Sequence, residues 1–170
     1  MDSYLKIKNT ERLILRPLTK ADKEIWSEFL SHEIVSKYYP PIFDVSPETG
    51  AENWIARQLN RYKNNEFGML ALIDKSTQKF VGQAGLLKQK IDGEDFIEIG
   101  YHLFPEYWGK GYATEAAVFL KDLAFNHYNI NKVISIIHID NIPSQKVAIR
   151  NNMVRNTKTT YGGIPVFIYQ

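Results

Sequence analysis

Residues 95–116, DFIEIGYHLFPEYWGKGYATEA, constrain this chain more than any other stretch. DFIEIGYHLF reads as a strand, and it runs into two glycines one residue apart, Gly109 and Gly111. Glycine loses more backbone entropy than any other residue when fixed, so the pair must serve a backbone shape or a close approach. Beyond them Ala113, Ala116, Ala117, Leu120, Leu123, Ala124 and His127 recur at helical spacing and predict a helix of roughly four turns. KVISIIHI follows as a further strand. The order strand, helix, strand makes the two strands parallel neighbours joined by a right-handed crossover. That puts the glycine loop at the carboxyl end of the first strand, where ligands of open sheets bind. Free N–H groups and the helix dipole there make an anion site. The string is not a Walker loop, since Gly109-Lys110 is followed by Gly111, nor a dinucleotide fingerprint, since Thr114 stands where a third glycine is required. Taken locally, it is either a phosphate cradle or a tight strand-to-helix turn.

The remaining elements follow from period and punctuation. ERLILRPL alternates Leu13 and Leu15 against Arg12, Ile14 and Arg16 as a first strand. Thr19 and Asp22 have the form of a capping box before Ile25, Trp26, Phe29 and Leu30. VSKYYPPIFDVS, with two prolines, reads as a loop. Ser46 and Pro47 reopen a helix that carries Ala51, Trp54, Ile55, Leu59 and Tyr62 on one face. GMLALID, KFVGQAGLLKQK and DFIEIGYHLF form an antiparallel meander, its second turn marked by Asp92-Gly93. Near the C-terminus, a short helix entered through Asp140, Asn141 and Pro143 precedes a hairpin at Gly162-Gly163.

At 170 residues and 44% apolar content, the chain suits one domain spanning residues 1–170. A net charge of +2 with both signs scattered offers no basic stripe for nucleic acid. The longest aliphatic stretch is VISII, with a serine inside it, and neither a spanning helix nor a signal peptide is expected. There are no cysteines, which removes thiolate nucleophiles and disulfides and favours a cytoplasmic location. The four histidines, His32, His102, His127 and His138, show no paired ligand spacing, so no metal is expected.

The run EIGYHLFPEYWGKGYATEA, followed after one helix and one strand by DNIPSQKVAIRNNM, resembles the GNAT N-acetyltransferase superfamily, in the branch similar to the RimJ and RimL protein N-acetyltransferases. The resemblance extends from ERLILRPL onward. It implies an α/β fold of the α+β kind, a splayed mixed sheet flanked by helices, with acetyl-CoA in the cleft. By resemblance, the N–H groups of the loop Trp108, Gly109, Lys110, Gly111, Tyr112, Ala113 and Thr114 hold the pyrophosphate. The strand edge at Tyr101, His102 and Leu103 pairs with the pantetheine arm, and Asn141 and Ser144 face that arm and the thioester. Asn141 alone also reads as a helix N-cap. Lys146 and Arg150, a helical turn apart, are candidates for the nucleotide 3′-phosphate or simply a solvated face.

Two departures from the family pattern stand out. Asn152-Met153 replaces the Gly-Phe that often ends the last helix, and asparagine tolerates the left-handed C-terminal conformation. Ala148 occupies the position where many members carry a tyrosine acid. The resemblance leaves Glu98 as the candidate general base near the acceptor amine, or else an ordinary strand carboxylate, and Ser144 as a donor to the departing thiolate. By the same resemblance Tyr38, with Tyr39, Phe43 and Trp26 around the early loop, is a candidate wall of the acceptor pocket, or else these aromatics belong to the core. The implied activity is transfer of acetyl from acetyl-CoA to a primary amine, a protein N-terminus or a small amine, by direct attack in a ternary complex of a monomer or homodimer. A non-catalytic acyl-CoA-binding or sensor domain is the competing reading, favoured by Ala148.

Overall fold

A computed structural model describes residues 4–38 and 45–170. A two-residue strand, β1 (Lys8–Asn9), precedes β2 (Leu13–Pro17), whose Leu13 and Leu15 are buried as the alternation predicts. The Thr19–Asp22 box forms: the Asp22 carboxylate accepts from the Thr19 backbone N–H at 2.7 Å, and Arg16 grips it from the other side at 2.7 and 2.9 Å. Helix α1 (Lys23–Ser31) follows and buries Trp26 and Phe29. A single turn, α2 (Glu33–Ser36), occupies the start of the segment expected to be loop. Ser46 then caps α3 (Pro47–Lys63), its hydroxyl accepting from the Thr49 N–H at 3.3 Å.

The meander forms as β3 (Met69–Asp74), β4 (Phe80–Ile91) and β5 (Glu94–Leu103). Asp92 and Gly93 take φ of 48° and 90°, the double positive φ of a type I′ turn. β3 is apolar from Met69 to Ile73 because both its faces are covered. Met69 and Ala71 pack with α1 and α3, while Leu70 and Leu72 pack with α4 (Tyr112–Asp122) on the far side. α4 continues to His127 through a wider turn closed by the Tyr128 N–H on the Leu123 carbonyl at 3.2 Å. Four turns are thus present.

The strand after α4 carries the main departure from a plain parallel sheet. Ile99 N–H donates to the Ile134 carbonyl at 2.7 Å and Ile134 N–H to the Ile97 carbonyl at 2.9 Å, a parallel contact as the strand-helix-strand order predicts. It goes no further. The Ser135 hydroxyl takes the Ile99 carbonyl at 2.9 Å, and the chain leaves as β6 (Ser135–His138), shorter than the expected strand. β6 pairs instead with β8 (Ile164–Tyr169), which pairs with β7 (Arg155–Tyr161) across a turn whose Gly162 and Gly163 have φ of 56° and 85°. A five-stranded antiparallel sheet, β1-β2-β3-β4-β5, and a three-stranded one, β6-β8-β7, therefore meet at one bridge and splay.

Between β6 and β7 runs α5 (Ile142–Arg150). Its end shows why Asn152-Met153 can stand in for Gly-Phe. Asn152 has φ of 54°, its N–H reaches the Ile149 carbonyl at 3.0 Å, and the Met153 N–H reaches the Ala148 carbonyl at 3.0 Å. These are the two bonds of a Schellman motif, sealed by Met153 and Ala148 in one apolar cluster.

Tyr4 closes the last gap in the larger sheet. β3 stops pairing with β4 at Met69 opposite Gly85, which leaves the next β4 amide without a strand partner. The fully buried Tyr4 hydroxyl accepts from that Leu86 N–H at 2.9 Å and donates to the Gly68 carbonyl at 2.6 Å. Tyr4→Phe strands both groups in the interior, so unfolding by urea should show a loss of about 1–3 kcal/mol with an unchanged slope. A midpoint equal to that of the wild type would mean that water replaces the hydroxyl.

Candidate functional site

The glycine loop is held in shape before any ligand arrives. Trp108 donates its indole N–H to the Leu103 carbonyl at 2.7 Å, anchoring the loop to the strand it leaves. Gly109 and Gly111 then adopt φ of 74° and 84°, which side chains strongly resist. A Cβ on Gly109 would meet nothing within 4 Å, whereas one on Gly111 would stand 3.2 Å from the Arg12 guanidinium. The first helical bond of α4 runs from the Glu115 N–H to the Gly111 carbonyl at 3.0 Å. The preceding amides of Gly111, Tyr112, Ala113 and Thr114 have no acceptor within the helix, and the dipole adds positive potential there.

An unpaired carboxylate in the first turn would oppose an anion, and Glu115 is in that turn. Arg12 neutralises it through Nε–Oε2 at 2.7 Å and its own backbone N–H at 2.7 Å, while another guanidinium nitrogen donates to the Lys110 carbonyl at 2.8 Å. Burial raises the Glu115 pKa, but hydrogen bonds from Thr10 and Arg12 outweigh it and hold the carboxyl below its ordinary range. Arg12 also lies over the Tyr112 ring at 4.5 Å, and the Tyr112 hydroxyl donates to Asp74. Arg12, Asp74 and Glu115 were not among the sequence candidates. The available signal was the acidic residue at the mouth of a helix required to receive an anion.

Where β6 departs, β5 keeps an open edge. The Ile97 carbonyl and Ile99 N–H point to β6, so by the two-residue strand period the main-chain groups of Tyr101 and Leu103 point the same way. Among the described residues no strand pairs with β5 on that side past Ile99. His102, grouped with them in the sequence reading, turns its main chain to β4 opposite Gln83. Tyr101 and Leu103 alone present the edge.

On the other side of the splay lies a cavity of about 220 Å³ that brings together Tyr38, Glu98, Tyr101, His102, Asn141 and Ser144. Glu98 sits at the divergence of the sheets. Its carboxylate accepts from Gln89 at 2.6 Å, and burial raises its pKa to about 7 against the hydrogen bonds from Gln89 and the Ile136 N–H and the pull of Arg61. Among the described residues it has no ion pair. His102, edge-on to Trp26 and Trp54, is pushed down to about 4 by burial and is neutral at pH 7. Asn141 does cap α5, its Oδ1 accepting from the Ser144 N–H at 3.1 Å. The Ser144 hydroxyl donates to the Tyr101 hydroxyl at 3.1 Å, which donates in turn to the Ser144 carbonyl at 3.0 Å. Burial raises the Tyr101 pKa, so this hydroxyl keeps its proton. Tyr38 lies 5.8 Å from the His138 ring.

Other candidates fall elsewhere. Trp26 is fully buried core, and Ala148 is packed beneath α4. Lys146 and Arg150 lie on the exposed face of α5, outside the cavity lining. Tyr39 and Phe43 lie outside the described residues.

This loop, open edge and cavity are accompanied by a match of residues 12–154 to the acetyltransferase (GNAT) domain. The chain belongs to the GNAT acetyltransferase family. The N-acetyltransferase p20 of Bacillus licheniformis is 33% identical over 81% of this chain and 76% of its own. An acetyltransferase from Agrobacterium tumefaciens shares the fold with a TM-score of 0.78 at 26% identity, over 97% of this chain and 94% of that one. RimL, a ribosomal L7/L12 alpha-N-protein acetyltransferase solved with coenzyme A, shares it at 0.75 and 16% identity, over 96% of each chain. The protein is an acetyl-CoA-dependent acetyltransferase with the mixed, splayed sheet that its sequence implies. No helix among its described residues is long and apolar enough to cross a membrane.

The open space over Gly109 in this GNAT loop can be tested directly. Gly109→Ala should weaken coenzyme A binding at least tenfold, about 1.4 kcal/mol by calorimetry, with a cooperative fold retained. Unchanged affinity would reduce the glycine to a turn former.

Proposed function

We propose that this GNAT acetyltransferase acetylates a free primary amine by direct attack within a ternary complex, with Glu98 as the general base. The observation that carries the reading is the Glu98 carboxyl, raised to about 7 where the cavity meets the splay and without an ion-pair partner among the described residues. A base is most useful when its pKa lies near the working pH.

The residues present fit the cofactor. The free amides of Gly111 to Thr114, the φ-positive glycines and the α4 dipole suit a diphosphate, and the Tyr101 and Leu103 edge suits the amides of a pantetheine arm. When bound, acetyl-CoA supplies an activated acyl carbon whose C–S bond breaks as the C–N bond forms. The Glu98 carboxylate takes a proton from the acceptor ammonium, directly or through water, and leaves the neutral amine whose lone pair attacks. The Ser144 and Tyr101 hydroxyls, linked at 3.1 Å, provide a donor for the departing sulfur, with Tyr101 in place of the tyrosine that Ala148 lacks. Tyr38 walls the acceptor side. The likeness of fold to RimL, an alpha-N-protein acetyltransferase, supports an N-terminal amine as the acceptor class.

Two measurements test these roles. Glu98 is protonated below about pH 7 and ionised above it, so the wild-type rate should rise through that pH and Glu98→Gln should abolish the limb. An N-terminal amine, with a pKa of about 7.7–8.0, is partly neutral at pH 7, whereas a lysine amine near about 10.4 is not. The loss should therefore approach the upper end of about 10²–10⁴-fold with lysine acceptors and be smaller with N-termini. A variant that matches the wild type at every pH would make Glu98 a structural residue.

Ser144→Ala and Tyr101→Phe should each lower kcat more than they weaken coenzyme A binding, because a donor to developing thiolate charge acts mainly in the transition state. An equal loss in binding with kcat unchanged would reduce the pair to a clamp between β5 and α5.

A further inference from the structure

α3 presents Trp54, Arg57, Gln58 and Arg61 to the acceptor cavity from one face, at spacings of three and four. Two of these four are occupied by the fold. Trp54 donates its indole N–H to Gln83 at 2.8 Å, and Gln58 accepts from the Met69 N–H at 2.9 Å. The two arginines are different. No carboxylate among the described residues lies within 4.0 Å of either guanidinium, and the hydrogen bond recorded for Arg61 is a long one, 3.5 Å to the Phe67 carbonyl.

Their surroundings make this placement costly for an amine-binding site. Among the described residues Glu98 is the one acidic group in the cavity lining and is half neutral at pH 7, so the described lining is cationic. An acceptor that is only an amine, above all a polyamine, would meet repulsion from two guanidiniums. The guanidinium fork suits an oxyanion, which it holds bidentately. Tyr161, on the hairpin across the cavity, feels both arginines, and its hydroxyl donates to Gln89 at 2.9 Å, whose amide donates to Glu98. The cavity thus has a proton-accepting end at Glu98 and an anion-receiving wall on α3.

From this geometry we infer that the acceptor is an amine that also carries a carboxylate, with Arg57 and Arg61 binding the carboxylate while Glu98 receives the amine proton. The inference rests on the proposed amine acetylation and narrows its substrate class. The carboxylate is either the α-carboxylate of a free amino acid or an acidic side chain close behind a peptide N-terminus.

The experiment compares kcat/KM for free amino acids, their amides, peptides beginning Ser-Asp-Glu, peptides beginning Ser-Asn-Gln, and spermidine. Wild type should favour a carboxylate acceptor over its amide counterpart at least about tenfold, and the pair that shows the preference identifies the source. Arg57→Gln with Arg61→Gln should erase the preference through KM, with coenzyme A affinity retained. A second measurement does not depend on turnover: calorimetric binding of the N-acetylated amino acid or Ser-Asp-Glu peptide, against its uncharged counterpart, to the coenzyme A complex of Glu98→Gln. Charge-selective binding there that disappears in the arginine variants upholds the anion site even if acetyl transfer to amines fails. Equal binding of charged and uncharged forms, or a wild-type preference for spermidine or the amides, overturns it.

Discussion

The structure turns on the point where β5 and β6 part after one pair of hydrogen bonds between Ile97, Ile99 and Ile134. Main-chain groups buried without partners are expensive, so a sheet opens only where something else satisfies or hydrates them. Here the Ser135 hydroxyl covers the Ile99 carbonyl, β8 draws β6 into a second sheet, and the Trp108 indole takes the Leu103 carbonyl. What stays open is the Tyr101 edge, between the glycine loop and the cavity. The divergence makes a cleft from backbone alone, and the glycine loop, the Tyr101 edge and the cavity all lie at its rim.

The two ends of that cleft are prepared by different electrical means. At the loop, positive potential comes from amides and a helix dipole, and the carboxylate of Glu115 in the first turn of α4 is neutralised by Arg12. The same arginine ties the loop to β2, so shape and charge are set by one side chain. In the cavity, burial raises Glu98 to about 7, so its carboxyl is about half ionised at pH 7, and among the described residues it has no ion pair. Placing Arg61 of α3 within range of Glu98 but outside ion-pair distance tempers that shift without ending it.

Tyr101 shows how one strand residue can serve both ends. Its main chain belongs to the open edge and its side chain crosses to Ser144 at the start of α5. The bond holds the N-terminus of α5, capped by Asn141, against β5, so the splay has a fixed width on the cavity side.

The sequence by itself determined the elements and the loop, because these depend on local physics. Asp92-Gly93, the Thr19 box, the Ser46 cap and the helical period after Gly111 each act within a few residues, and all appear as read. The match of EIGYHLFPEYWGKGYATEA to the GNAT pattern was legible for the same reason: its glycines answer to a strand-to-helix turn that lies within the string itself. Tertiary structure decided what depends on partners far apart in the chain. That Glu98 titrates near 7 follows from burial beside α3 on one side of it in the chain and β6, α5 and the last hairpin on the other, and nothing in FIEIGY records it. Arg12 meets Glu115 across 103 positions, and Tyr101 meets Ser144 across 43. Nothing in the sequence singles out Arg57 and Arg61, and only the fold turns their face of α3 to the cavity. Charge and burial act through space, so their effects became readable only once the two sheets had closed around the cleft.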